Sequence, residues 1–262
     1  MGRLTEKIRN KAESRSGTIH IVLVALVVLV LVGRMLRGDY YSVFLCVLTL
    51  LLFNIPLFVD KRFGIKLPGT LEIIILLFVF AAEILGEIGS FYTYITWWDD
   101  MLHTINGFLM AAIGFSLIDI LNNNPKFHFN LSPVFVAVVA FCFSMTVGVV
   151  WEFFEFGMDR FALTDMQKDE YVDTVSSVSL HPDGTNDTVV IKDIEKTVLI
   201  SGEKEHVIEG YLDIGIYDTM KDLEVNCIGA LVFSIFGFLY IKGRSKGGFI
   251  ANFIPKRKTE ES

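Results

Sequence analysis

The chain has 262 residues, 52% of them hydrophobic and 20% charged, and its net charge is -7. A mean hydropathy of +0.52 with 23 phenylalanines argues against an ordinary soluble domain and points to a bilayer as the solvent. Three cysteines, Cys46, Cys142 and Cys227, each lie inside an apolar run, which excludes a disulfide framework and a CxxC metal motif.

The first eighteen residues form a basic tail, expected to be cytoplasmic. Apolar runs follow from Ile19 to Leu36, Tyr40 to Val59, Leu71 to Ser90, Met101 to Leu121 and Pro133 to Phe156. Each approaches the ~20 residues needed to cross hydrocarbon. A bilayer demands that backbone groups be bonded internally, and continuous apolar runs without period-two alternation choose helices over a barrel. The first run follows a positive segment but lacks a small-residue cleavage site, so it reads as an uncleaved spanning helix. Residues 157–217 change character: VDTVSSVSL, TVVIK, KTVLI and HVIEGY are β-branched stretches separated by turn residues. They predict an extracytoplasmic β-rich insert of three or four strands. A sixth run, Leu223 to Ile241 with a polar entry from Asp218, precedes a second basic tail over 242–262. The expected fold class is therefore an all-α polytopic membrane protein, with six transmembrane helices and a small β insert between the fifth and sixth.

Lys and Arg decide the orientation. The N-terminal tail, DKRFGIK, NNNPKFHFN and the residues after Ile241 together carry fifteen, whereas the opposite short connections carry only Arg34 and Arg37. Both termini of a multi-pass membrane protein are thus expected in the cytoplasm. Aromatic residues agree. Trp97, Trp98, Trp151, Tyr40, Tyr41, Tyr92, Tyr94 and Tyr217 all fall at the outer ends so defined, where amphipathic rings favour the headgroup level.

Ionisable residues collect at those same ends. In WWDDMLH, Asp99 and His103 are four apart at the start of the fourth span and share a helix face. In WEFFEFGMD, Glu152 and Glu155 are three apart at the end of the fifth, with Asp159 one turn further. In YDTMKDLEVNCIGA, Asp218, Asp222 and Asn226 line one stripe entering the sixth. Glu83 and Glu87, again four apart, close the third. Carboxylates with one imidazole form an oxygen-rich ligand shell with a nitrogen donor, suited to Mg, Mn, Ca or Zn. Asp99, His103, Glu152, Glu155, Asp218 and Asp222 are the expected ligands. Glu87, Asp159 and Asn226 are expected in support, and His103, Glu152 or Glu155 in proton transfer. Simpler roles compete: Asp99, Asp218 and Asp222 fit a helix N-terminus, where negative charge favours the dipole, whereas Glu152 and Glu155 are expected at a helix C-terminal end, where the dipole opposes it. Lys221 or Arg160 could pair with a glutamate. Gly107, Gly114, Gly148, Gly229 and Gly237, dispersed through the spans, suit close helix contacts.

The run GSFYTYITWWDDMLHTINGF, with WEFFEFGMDR and DIGIYDTMKDLEVNCIGA, resembles the YjdF-type bacterial inner-membrane proteins, and more loosely the VanZ-like group. The shared pattern is Asp-x-x-x-His opening one helix, a glutamate-containing helix end, and Asp-x-x-x-Asp-x-x-x-Asn-x-x-Gly entering the last helix. Here it falls on Asp99 and His103, on Glu152 and Glu155, and on Asp218, Asp222, Asn226 and Gly229. The insert is longer than the resemblance implies, and Glu87 stands where a histidine is expected. The resemblance implies fold and site more than reaction, although VanZ-like members are linked to glycopeptide resistance at the envelope.

The leading expectation is a divalent-metal-dependent hydrolase or transferase acting at the outer leaflet on a lipid or cell-envelope substrate. A cation- or proton-coupled transporter is the alternative, as is a structural or regulatory protein that binds a partner through its insert. The lipid bilayer is the expected environment, and no nucleic-acid partner is expected.

Overall fold

The computed structural model describes residues 2–63, 65–122, 131–243, 252–254 and 256–257. Most of the connection NNNPKFHFN, with Lys126 and His128, and much of the C-terminal tail lie outside them. The described residues contain α1 (Gly2–Leu36), α2 (Tyr40–Leu52), α3 (Ile55–Phe63), β1 (Ile65–Lys66) and α4 (Gly69–Val79), which continues as a π-helix over Phe80–Ile88. After these come α5 (Phe91–Tyr94), α6 (Trp98–Asn122), α7 (Pro133–Ala162), six short strands, α8 (Ile216–Gly243) and β8 (Lys256–Arg257).

Among the described residues, five helical stretches are long and apolar enough to cross a membrane. They are Arg15–Leu36, Tyr40–Arg62, Trp98–Asp119, Pro133–Ala162 and Ile216–Gly243. The run read as a third span, Leu71 to Ser90, is not among these five. It is an eleven-residue α-helix followed by a nine-residue π-helix, and the wider π winding interrupts the α-helical register. Helix α1 begins at Gly2, so helix formation starts inside the basic tail.

The chain divides into two compact units, one of residues 1–148 with 224–262 and one of residues 149–223. In the first unit, one apolar cluster joins Leu23 and Val27 of α1, Cys46 of α2, Phe53, Leu76 and Val79 of α4, and Ile84 of the π-helix. A second joins Ala111, Ala112 and Phe115 of α6, Val136 and Ala140 of α7, and Ala230 and Phe233 of α8. Phe253 and Ile254 belong to this second cluster, at 6% and 3% exposure. The Phe253 ring meets Phe108 edge-on at 5.4 Å. Two apolar residues of the expected cytoplasmic tail therefore return to the bundle, and β8 pairs antiparallel with β1 just beyond them.

Glycines let α6, α7 and α8 approach closely. A Cβ on Gly229 would lie 2.0 Å from the Thr104 carbonyl oxygen, and one on Gly107 would lie 2.1 Å from that of Asn226. A Cβ on Gly148 would meet the Asn226 amide nitrogen at 2.8 Å. Helices in lipid gain little from apolar burial, so packing this close is a main source of their association.

In the second unit the strands are β2 (Tyr171–Val172), β3 (Val175–Ser177), β4 (Val189–Ile191), β5 (Lys196–Ser201), β6 (Lys204–Glu209) and β7 (Tyr211–Leu212). They form three two-stranded antiparallel ladders, β2 with β7, β3 with β4 and β5 with β6. Three or four strands were expected, and the additional ones are two-residue pairings that leave no sequence period. The β5–β6 hairpin closes through Gly202-Glu203 between paired Ser201 and Lys204. Gly202 has φ 63°, a value that two-residue hairpin loops require and that glycine adopts without steric cost.

Gly229→Ala must push a backbone carbonyl aside, and it is expected to cost about 1–3 kcal/mol by overpacking. Gly157→Ala, whose added Cβ would meet nothing within 4 Å, should leave stability unchanged or slightly raised. Thermal unfolding of the two variants in detergent separates a packing requirement from a general intolerance of alanine.

Candidate functional site

Helix α7 supplies two of the expected acids. It continues ten residues past Glu152, to Ala162, because GMDRFA contains no proline and a single interior glycine is tolerated; the turn comes only at Leu163, with φ 55°. The sequence reading placed Glu152 and Glu155 at a helix C-terminus opposed by the dipole. That is corrected here, since the macrodipole falls off within the last turn. Both are buried, at 4% and 7% exposure, and Asp222 of α8 is 1% exposed. Within the second unit, Glu152, Glu155 and Asp222 each offer a carboxylate oxygen within 4.8 Å of the others. Asp218, one turn before Asp222, offers one within the same distance of Asp222.

Asp159, Asp213 and Asp218 of this unit serve the backbone. Asp159 accepts hydrogen bonds from the Met166 and Gln167 amides at 2.6 and 2.8 Å and from the Thr164 hydroxyl at 2.8 Å. Expected as a supporting site residue, it fastens the loop that leaves α7. Asp218 also accepts the Lys168 amide at 2.8 Å, and it lies in the first turn of α8, where negative charge is favoured.

Asp213 is an anchor that the sequence reading missed. It accepts from the amides of Glu170 at 2.7 Å, Gly215 at 3.2 Å and Tyr217 at 2.7 Å. The last of these is one of the donors that a helix N-terminus leaves without an intrahelical partner. Burial pushes its carboxyl upward, but the three amides outweigh burial and hold it below the ordinary carboxylate range. Next to it, Ile214 is 81% exposed with φ 57°, a left-handed conformation that costs a β-branched residue about 1–3 kcal/mol. The DIG spacing before an amphipathic run was the only available signal for this anchor.

In the first unit, His103 is 8% exposed on α6, and its Nε2 lies 3.6 Å from Asp99 Oδ1 across one helical turn. Asp99 is in the first turn of α6, so its helix-end role and its pairing with the imidazole coexist. Asn226 is fully buried. Its Oδ1 accepts from Asn106 Nδ2 at 3.3 Å, and its Nδ2 meets Met145 Sδ at 3.5 Å. Ser144 donates to the Gly107 carbonyl at 2.8 Å. Asn226 thus supports by joining helices, and Asn106 and Ser144, absent from the sequence reading, share that work. Glu87 is exposed on the π-helix, and Glu83 is half-buried. Neither belongs to a group of three closely spaced donors among the described residues. Trp98 is buried against Phe91, with ring centroids 4.8 Å apart, so interfacial exposure is left to Trp97 and Trp151, at 57% and 43%.

The profile of a family described as "Predicted membrane protein (DUF2238)" matches residues 18–243, and the chain belongs to that family. Comparison with curated proteins and with solved structures gave no match.

The Asp213 anchor has a defined pH dependence. Because its carboxyl is held low, its contribution is complete above the ordinary carboxylate range and is lost as pH falls through the lowered value. Amide exchange at Glu170 and Tyr217 is expected to quicken in acid, and Asp213→Ala should show the faster exchange already at neutral pH. Ile214→Gly, which removes the strain at an exposed position, should raise the midpoint of thermal unfolding.

Proposed function

We propose that this DUF2238 protein holds a divalent cation with Glu152, Glu155 and Asp222, and uses it in hydrolysis or group transfer at the outer leaflet. One observation carries the reading. Glu152, Glu155 and Asp222 are all buried, and each offers a carboxylate oxygen within 4.8 Å of the others. Three like-charged carboxylates this close suit a divalent counter-charge such as Mg, Mn, Ca or Zn.

A cation so held supplies Lewis-acid stabilisation of a phosphoryl or carbonyl oxygen. Asp99 orients the His103 imidazole, and Asp218 steadies the entry to α8. A phosphate- or carboxylate-bearing lipid or envelope precursor is the substrate class suited to such a site. The charge bias of the short loops supports an outward-facing site with cytoplasmic termini. The composite helix Gly69–Ile88 serves as the sixth span. The YjdF-type resemblance accords with the family assignment, and the VanZ-like one adds nothing to it.

The apolar cluster around Phe115, Phe233 and Phe253 fills the α6–α8 bundle beyond Asn226. It counts against a polar path for a transporter. The insert offers a second reading. Val198, Ile200 and Val207 on one face of the β5–β6 hairpin are 49%, 72% and 60% exposed, and a two-stranded hairpin is marginal without a covering partner.

Elemental analysis of detergent-purified protein should find a near-stoichiometric divalent metal. Glu152→Gln and Asp222→Asn should each lose it, while Glu87→Gln keeps it. A metal-free wild type, or variants with the wild-type content, would sink the proposal. Phosphate release from phosphatidic acid in reconstituted vesicles, without cation flux, would favour the enzyme over the transporter. Deleting residues 172–209 with full metal retention but loss of cellular function would favour the insert as a partner-binding module.

A further inference from the structure

The break between α2 and α3 makes a second site. Pro56 has no N–H to give to the Leu52 carbonyl, so the helix cannot continue through it. Asn54 turns back and donates its side-chain amide to the Leu50 carbonyl at 2.8 Å. Where α3 resumes, the helices leave a cavity of about 320 Å³ against α1 and α4, a volume in the range of small-ligand pockets. Its floor includes Phe53 and Leu76, each 1% exposed. Its polar groups come from three helices: Ser16 and His20 of α1, Asp60 of α3 and Glu72 of α4. The Ser16 hydroxyl donates to the Glu72 carboxylate and fixes its direction. The edge of the His20 ring packs on Phe53, with centroids 6.0 Å apart at 80°.

Carboxylates from two different helices at the rim of an apolar floor form an amphipathic receptor of definite sign. Anions meet like charge there. A neutral apolar molecule gains the floor and leaves the acids unused. A divalent ion is poorly served, because His20, Asp60 and Glu72 are not among the closely spaced donor groups of the described residues. We propose that this cavity binds a primary ammonium carried on a small apolar body, with Glu72 and Asp60 receiving its N–H donors and Phe53 and Leu76 its hydrocarbon. Charge-assisted hydrogen bonds to a pre-oriented carboxylate are the stronger class and give the selectivity. The ammonium comes either from a free amine or from the headgroup of an ethanolamine lipid. The site is separate from the acids and histidine of α6, α7 and α8.

The test uses the full chain in phosphatidylcholine nanodiscs, with benzylamine as probe and benzyl alcohol as its neutral counterpart. Equilibrium dialysis should show saturable benzylamine binding. That binding should be weakened at least about tenfold by Glu72→Gln, which keeps an acceptor for Ser16, and by Leu57→Trp, which fills the cavity from its wall. Lys61→Gln, outside the cavity, should bind as wild type. In a second arm, phosphatidylethanolamine replaces phosphatidylcholine. A rise in the unfolding midpoint that Glu72→Gln abolishes identifies the lipid headgroup as the source, and benzylamine binding alone identifies a soluble amine. Equal binding of benzyl alcohol, wild-type affinity in Glu72→Gln and Leu57→Trp, or no effect in either arm overturns the proposal.

Discussion

The meeting of Asn226 with Gly107 and Gly148 is the contact on which the rest depends. Lipid rewards apolar side chains wherever they point, so a membrane bundle is not aligned by hydrophobic burial alone. Here the alignment comes from backbone approach. Two glycines expose main chain on α6 and α7, and the fully buried Asn226 of α8 fills the space they leave. Asn106 and Met145 take up its amide oxygen and nitrogen, and Ser144 fastens α7 to the Gly107 carbonyl. A polar side chain at this depth is costly unless its groups are met, and meeting them fixes rotation and depth together. His103, one turn from Gly107 on α6, inherits that registration.

The acidic residues divide by what they accept. Asp159 and Asp213 spend their oxygens on backbone amides of the loop between α7 and the strands and of the start of α8. Asp218 does so partly, through Lys168. Glu152, Glu155 and Asp222 are buried and lie together. The first group builds the scaffold from which α8 departs, at the expense of a left-handed isoleucine. Spacing along the chain does not separate these roles, since Asp159 follows Glu155 by the same four residues that separate Asp218 from Asp222.

Much of the fold was legible because hydrocarbon is an exacting solvent. Runs of about twenty apolar residues mark helices whatever packs around them; four such runs became long helices, and the second, Tyr40 to Val59, became two, α2 and α3. The third, Leu71 to Ser90, broke into α and π segments, since apolar composition is the same in both windings. The ends of α7 and α8 were misjudged where amphipathic residues carry a helix beyond its apolar run, and the return of Phe253 to Phe108 was hidden by the basic residues around it. Among site residues, the three-four spacing of His103, Glu152, Glu155 and Asp222 was visible, whereas Asn106, Ser144 and Asp213 were not. Their roles depend on partners 37 to 120 residues away.

By itself the sequence determined the solvent, the helical class, the charge bias of the connecting loops and the sets of ionisable residues that share a helix face. These follow from local composition and a period of 3.6, which no distant contact can alter. Only the tertiary structure decided which acids gather and which hold backbone, which tryptophan is buried, and where Pro56 opens a cavity. Those outcomes turn on missing Cβ atoms, amide donors and kinks in other segments, and a carboxylate's role is set by the atoms that come within reach of it.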